Sequence, residues 1–118
     1  MSSKWALQRN RAYQNQHERC YYCGRAMWLA DPQSFARSYR LTLREARQLQ
    51  ATAEHLIARC DGGKDTECNI VAACRCCNCR RHRRKTALSP ERYRGLVQRR
   101  VAAGKWYAKA TNGEKQPK

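Results

Sequence analysis

The chain has 118 residues, enough for one domain with a modest core, since a chain this long buries roughly two thirds of its unfolded surface. No apolar run approaches the roughly 20 residues of a membrane span, and Met1-Ser2-Ser3-Lys4-Trp5 lacks the apolar stretch of a signal peptide, so a non-exported, non-membrane chain is expected. Lys and Arg number 25, of which 18 are Arg, against 9 acidic residues, and a net charge of +16 calls for a polyanion: nucleic acid first, an anionic membrane surface second.

Residues 4 to about 18 are polar with apolar points at Trp5, Leu7, Ala12 and Tyr13, and read as a short helix or an ordered arm. Cys20-Tyr21-Tyr22-Cys23-Gly24 pairs two cysteines with a glycine for a tight turn. Residues 24–41 hold Trp28, Asp31-Pro32 and Phe35 and read as a loop with little regular structure. Thr42 and Glu45 have capping-box spacing, which predicts a helix from Leu43 to about Gln50.

Ala51 to Arg59 reads as a strand, Cys60 to Asp65 as a turn rich in Gly and Asp, and Asn69 to Ala73 as a second strand. Together they predict a hairpin with a long loop. The basic stretch Arg80 to Lys85 is expected to begin a helix. Ser89-Pro90-Glu91 starts another, which runs about 90–103 and ends near Gly104. Residues 110–118 have the composition of a disordered basic tail. The domain therefore spans 1–109, with its core at about 20–84.

Eight cysteines without a secretory signal point to metal before disulfides. Cys20-x-x-Cys23 and Cys74-x-x-Cys77, about fifty residues apart, suit a closed tetrahedral zinc site that clips a small core. Cys76-x-x-Cys79 has the same spacing, so the cysteine run alone does not fix the register. Cys60 and Cys68 could join Cys76 and Cys79 in a second site; four free, half-buried thiols is the plainer reading.

Glu54-His55 on the first strand, Gly62-Gly63 in the loop, Asn69 fourteen residues after His55, and Cys77-Asn78 nine residues after Asn69 form one pattern. The text AEHLIARCDGG followed by NIVAACRCCNCRR resembles the HNH (ββα-metal) endonuclease family, in its zinc-clipped branch with two CxxC pairs. The resemblance covers Cys20 to about Arg84 and selects Cys74 and Cys77 as the second zinc pair. It implies an α+β fold: a small hairpin and a helix clipped by structural zinc, with flanking helices. By the same resemblance His55 is the general base, Glu54 and Asn78 ligate a catalytic divalent cation, and Asn69 pins the loop and orients the base. His82, four residues after Asn78, would be a further metal ligand or, more simply, a phosphate or solvent contact. Arg81 matches a basic residue near the phosphate.

The chemistry holds together without the family. Hydrolysis of a phosphodiester needs an activated water and neutralisation of phosphate charge. Histidine titrates near neutrality, and carboxylate and amide oxygens suit Mg²⁺ or Mn²⁺. Singly, His55, Asn69, Asn78 and Glu54 are a structural histidine, a turn residue, a helix cap and a solvated strand residue; jointly they point to a nuclease site. Two features depart from the pattern: the acid is the longer glutamate, and regular strand alternation sends Glu54 and His55 to opposite faces. Arg75, Arg80, Arg81, Arg83, Arg84 and Lys85 are expected to contact backbone phosphates as a group.

The expected function is therefore metal-dependent hydrolysis of DNA in the cytoplasm of a bacterial cell or a phage-infected host, with room for a targeting protein partner. The alternative is a zinc-ribbon nucleic-acid-binding module without cleavage; a structural RNA-binding protein fits the charge but not the hairpin pattern.

Overall fold

A computed structural model describes residues 4–57, 62–64 and 69–107. Its elements run α1 (Lys4–Asn15), α2 (Pro32–Tyr39), α3 (Leu43–Arg47), β1 (Ala51–His55), β2 (Ile70–Cys74), α4 (Arg75–Arg83) and α5 (Pro90–Ala102). Strands and helices are mixed, as expected for a hairpin-plus-helix α+β fold. Among the described residues no helix is long and apolar enough to cross a membrane.

The two strands pair antiparallel with Ala51 opposite Cys74 and His55 opposite Ile70. Beyond that pair the Leu56 N–H still donates to Asn69 O at 2.9 Å, and the Asn69 side chain ties the strand ends together. Its Oδ1 accepts from the Ile57 N–H at 2.8 Å, and its Nδ2 donates to the carbonyls of Ile57 and Lys64 at 2.9 Å each. The outer edge of β2 is closed by the turn that follows α1. The Gln16 side-chain amide copies a neighbouring strand, donating to Ala72 O at 2.8 Å and accepting from Ala72 N at 3.0 Å. Unpaired strand edges are costly to leave bare, and here the Gln16 side chain and the Tyr21 N–H, which donates to Ala72 O at 3.0 Å, cover the gap.

The segment 24–41 is not the irregular loop expected from sequence, because α2 occupies Pro32–Tyr39. Asp31 acts as N-cap, accepting from Ser34 N at 3.0 Å, and Pro32 occupies the first turn, where its missing N–H costs nothing. Arg40 ends the helix in the left-handed region at φ 57°. Helix α3 carries the expected capping box, with Glu45 N to Thr42 Oγ1 at 3.1 Å and Thr42 N to Glu45 Oε1 at 2.8 Å, but stops at Arg47. Helix α4 starts at Arg75, directly after β2, so Asn78 lies inside it rather than before it.

The core is small and rich in tyrosine and cysteine. Tyr22, Leu49, Cys74, Cys77, Tyr93 and Val97 are fully buried. Edge-to-face ring contacts link Tyr21, Tyr22, Tyr93 and Trp106 in a row. Tyr93 docks α5 by donating to Cys77 O at 2.6 Å.

Candidate functional site

The hairpin, α4 and the Cys20–Gly24 turn converge on four sulfurs. Cys20, Cys23, Cys74 and Cys77 lie with their Sγ atoms within 4.8 Å of one another, and Cys23 and Cys74 are 3.9 Å apart. A tetrahedral zinc with Zn–S of about 2.3 Å separates its sulfurs by about 3.8 Å, so the cluster fits a structural zinc site. The register is thereby settled for Cys74 and Cys77. Backbone N–H groups of Tyr22 and Cys74 donate to Cys20 Sγ at 3.4 and 3.2 Å, and Cys77 N donates to Cys74 Sγ at 3.4 Å. Trp106 Nε1 donates to Cys77 Sγ at 3.3 Å. Donors aimed at sulfur suit thiolates held on a cation. Burial and then the neighbouring Cys23 push the Tyr107 hydroxyl pKa up, and that buried hydroxyl lacks a hydrogen-bond partner among the described residues. A metal-bound thiolate at Cys23 would supply its acceptor.

The spare cysteines divide. Cys76 is buried, and burial raises its pKa; Cys79 is exposed on α4. Cys60 and Cys68 lie outside the described residues, as does the 110–118 tail.

Next to the zinc cluster, β1 faces α4 through Thr52 and Glu54. Asn78 Nδ2 donates to Thr52 Oγ1 at 3.0 Å and to Ala53 O at 3.2 Å. Glu54 is 1% exposed yet fully bonded. Its Oε2 accepts from Tyr22 Oη at 2.8 Å and from Arg81 Nη1 at 2.9 Å, while Oε1 lies 2.8 Å from His82 Nε2. A buried carboxylate is tolerated only with such partners. Burial first, and the Glu54 charge second, hold the Tyr22 hydroxyl well above its usual pKa, so it stays a donor.

Arg81 departs from the expectation of a phosphate contact. It is 4% exposed and all its N–H groups point inward. Besides Glu54 it donates to His55 O at 3.1 Å, Leu56 O at 3.0 Å, and Leu88 O at 3.2 Å from Nε and 3.0 Å from Nη2. The reason is its place on the helix: Arg81 follows the buried Cys77 by one turn, which turns it toward the interior. Arg80 is also engaged, donating to Trp106 O and stacking 4.7 Å from that indole ring. Arg75, Arg83, Arg84 and Lys85 are exposed.

His55 sits on the other side of the strand. β1 runs regularly through it, so alternation sends Glu54 to α4 and His55 to α1. There its ring meets the Trp5 indole edge-on at 5.4 Å. The structure thus brings Glu54, Asn78, Arg81 and His82 together and holds His55 beside them at the strand end, on the opposite face.

Sequence reasoning did not single out Tyr22, Trp5 and Trp106. For Tyr22 a signal existed: it lies inside the first CxxC, where the turn that gathers two sulfurs also turns the intervening side chain inward.

Among the described residues the four cysteines are the one group of three or more His, Cys, Asp or Glu side chains that could hold a metal. A second cation would rest on one oxygen of Glu54, the His82 nitrogen and the Asn78 amide. The 2.8 Å between Glu54 Oε1 and His82 Nε2 is a hydrogen-bond distance that two neighbouring ligands on one ion would also show, so the donor chemistry of this pair is compatible with a cation.

Neither a curated protein nor a solved structure matches the chain. A family model described as HNH endonuclease matches residues 42–84, the span from the cap of α3 through the hairpin to the end of α4. With that span built as a hairpin packed on a helix, the chain is similar over residues 42–84 to the HNH endonuclease family, and two CxxC pairs gathered beside it fit a zinc site.

Proposed function

We propose that the protein is a metal-dependent endonuclease that hydrolyses DNA phosphodiester bonds, with His55 as general base. One observation carries this reading: Glu54 Oε1 and His82 Nε2 stand 2.8 Å apart at the hairpin–α4 junction, beside Asn78 and next in sequence to a histidine.

In this reading Glu54, His82 and Asn78 hold the cation. A divalent ion there, Mg²⁺ or Mn²⁺, supplies neutralisation of phosphate charge and stabilisation of the leaving alkoxide. The imidazole on one donor favours Mn²⁺ over Mg²⁺. His55 takes the proton from the attacking water at an imidazole nitrogen. Its backbone is pinned from two sides, since Arg81 grips the His55 and Leu56 carbonyls and Leu56 N donates to Asn69 O at 2.9 Å. The scissile phosphate then belongs at the strand end, past His55, where the base and the Glu54–His82 pair would approach it from opposite faces of β1. Arg75, Arg83, Arg84 and Lys85 position the DNA backbone.

A second reading has an observation of its own. Glu54 already has three hydrogen-bonding partners, a state that serves a purely structural role equally well, and this favours a zinc-ribbon binding module without cleavage. Supercoiled plasmid decides between them. Nicking or linearisation with Mg²⁺ or Mn²⁺, lost without them and lost in His55→Ala while DNA binding persists, supports the nuclease. Binding without cleavage under every divalent metal establishes the module instead.

A further inference from the structure

The three tryptophans of the chain are employed differently. Trp28 and Trp106 turn their indole N–H groups inward, to Ala46 O at 2.7 Å and to Cys77 Sγ at 3.3 Å. Trp5, at the start of α1, keeps 39% of its surface exposed, and its ring is the one that meets His55. Beside it, between the first turns of α1 and β1, lies a cavity of about 290 Å³ walled by Trp5, Ala6, Arg9, Gln50, Ala51 and Ala53. Strand alternation puts Ala51, Ala53 and His55 on the same side of β1, so the cavity and the histidine lie along one face, with the indole touching both.

A second exposed apolar side chain follows the histidine by two residues. Ile57 is 56% exposed although its backbone is held at both ends, its N–H donating to Asn69 Oδ1 and its carbonyl accepting from Asn69 Nδ2. A single exposed apolar side chain needs no explanation. A tryptophan and an isoleucine that bracket one histidine, on a chain of net charge +16, do. Positive charge draws in the nucleic-acid backbone, but an indole or a branched alkyl group gains nothing from phosphate. Each gains from the face of a base: an aromatic ring stacks on it, and a branched side chain wedges against it.

Resting on the reading of the chain as a DNA nuclease with His55 at the scissile phosphate, we propose that Trp5 is a stacking platform for a nucleobase displaced from the duplex beside the bond being cut, and that the cavity next to it receives that base. Every base has a π-face, so the platform is indifferent to sequence. Arg9 and Gln50 in the cavity walls carry donors for the edge of the base. The proposal also names the substrate class. A paired base must first be unpaired and unstacked, which costs about as much as the platform returns; a mismatched base is already loosened. DNA with an unpaired base at the cleavage position is therefore preferred over uniform duplex.

The test is binding by the full chain, zinc-loaded and without added Mg²⁺ or Mn²⁺, to a short duplex and to the same duplex carrying one mismatch. The parent binds the mismatched duplex about 10-fold tighter, and its tryptophan emission is quenched on binding. Trp5→Leu keeps an apolar side chain but has no π-face. It loses about 10-fold on the mismatched duplex and less than about 3-fold on the paired one, and most of the quenching disappears. Trp5→Phe retains a face and recovers most of the preference. Leu7→Ala, at a more exposed position of the same helix, changes neither affinity. Zinc content and circular dichroism verify that each variant is folded. A parent without a mismatch preference overturns the proposal, as does a Trp5→Leu variant that keeps it. Equal losses on both duplexes, or a Trp5→Phe variant that behaves like Trp5→Leu, overturn it too, because a merely structural tryptophan gives those results. The nuclease reading is decided separately by plasmid cleavage. Cleavage without a mismatch preference overturns the platform alone, and failure of the parent to bind any DNA overturns both.

Discussion

Glu54 and Arg81 show how one buried pair organises the site. The carboxylate has no access to water, and the guanidinium spends its N–H groups on that carboxylate and on three backbone carbonyls. Removing one partner of a buried pair leaves the other charged and unsolvated, which costs about 3–5 kcal/mol. Arg81→Met should therefore lower unfolding stability by about that amount, read by denaturant titration of the zinc-loaded protein. Glu54→Gln keeps an acceptor for Tyr22 and Arg81, and should cost about 1–3 kcal/mol. If Arg81→Met is as stable as the parent, the clasp does not hold the strand end. At His55 the expectation differs in kind. His55→Ala should leave stability and DNA binding nearly unchanged and cut the cleavage rate by about 10²- to 10⁴-fold, the usual worth of a general base. A parent-like rate would remove His55 from the mechanism.

How far these residues can be read from sequence depends on what fixes their direction. His55, Asn69 and Asn78 stand out because their spacing is tied to a hairpin and the turn into a helix. Arg81 stands out only through the resemblance, and there as a phosphate contact; as one of five Arg and Lys side chains between positions 80 and 85 it carries no sign of its burial. Its burial follows from the docking of α4, although its distance of one turn from Cys77 was a usable hint. His82 was equally ambiguous until the hairpin was in place: residues four apart on a helix share a face, but only packing shows what that face meets.

At the scale of elements, the hairpin, the capped α3 and the Ser-Pro-Glu start of α5 are legible because each rests on local chemistry. Helix α2 is legible only in retrospect. Asp-Pro suits a turn and a helix start alike, and what decides between them is burial of Phe35 and Ala36 in the core. The zinc cluster is the element that joins distant parts of the chain: the Cys20–Gly24 turn, the end of β2, the first turn of α4 and, through Trp106, the segment after α5. Few large aliphatic side chains are buried, so a zinc held by this cluster would carry much of the folding free energy; structural zinc contributes about 10–16 kcal/mol of binding in small domains. Cys23→Ser should accordingly lose zinc and unfold the domain, seen as metal content by elemental analysis and as loss of near-ultraviolet dichroism. Folded protein that contains no zinc would refute the structural site. Trp106→Phe is a gentler probe: it removes one donor to Cys77 Sγ, and should speed zinc loss to a chelator without unfolding the chain.

Over the whole molecule the decisive quantity is the net charge of +16 and where it sits. Some of that charge is internal, since Arg81 neutralises Glu54 and faces no solvent. Other guanidinium groups lie on aromatic rings: Arg25 on Tyr107, where it is itself buried, and Arg80 on Trp106 and Arg94 on Tyr21, where the ring orients the group while its charge still acts outward. On α4 and just beyond it the exposed basic side chains left to meet phosphate are Arg75, Arg83, Arg84 and Lys85. If each neutralises one phosphate of duplex DNA, the slope of log K against log salt should be about −3.6, at about 0.9 per contact. Filter binding or fluorescence anisotropy across a salt series, without added Mg²⁺ or Mn²⁺, measures this directly. Heparin should compete efficiently, because counterion release carries no sequence information. A flat titration would mean that the positive charge serves something other than a polyanion. A slope shallower than about −3 would mean that the basic face of α4 does not lie along the backbone, whatever the hairpin does at the bond being cut.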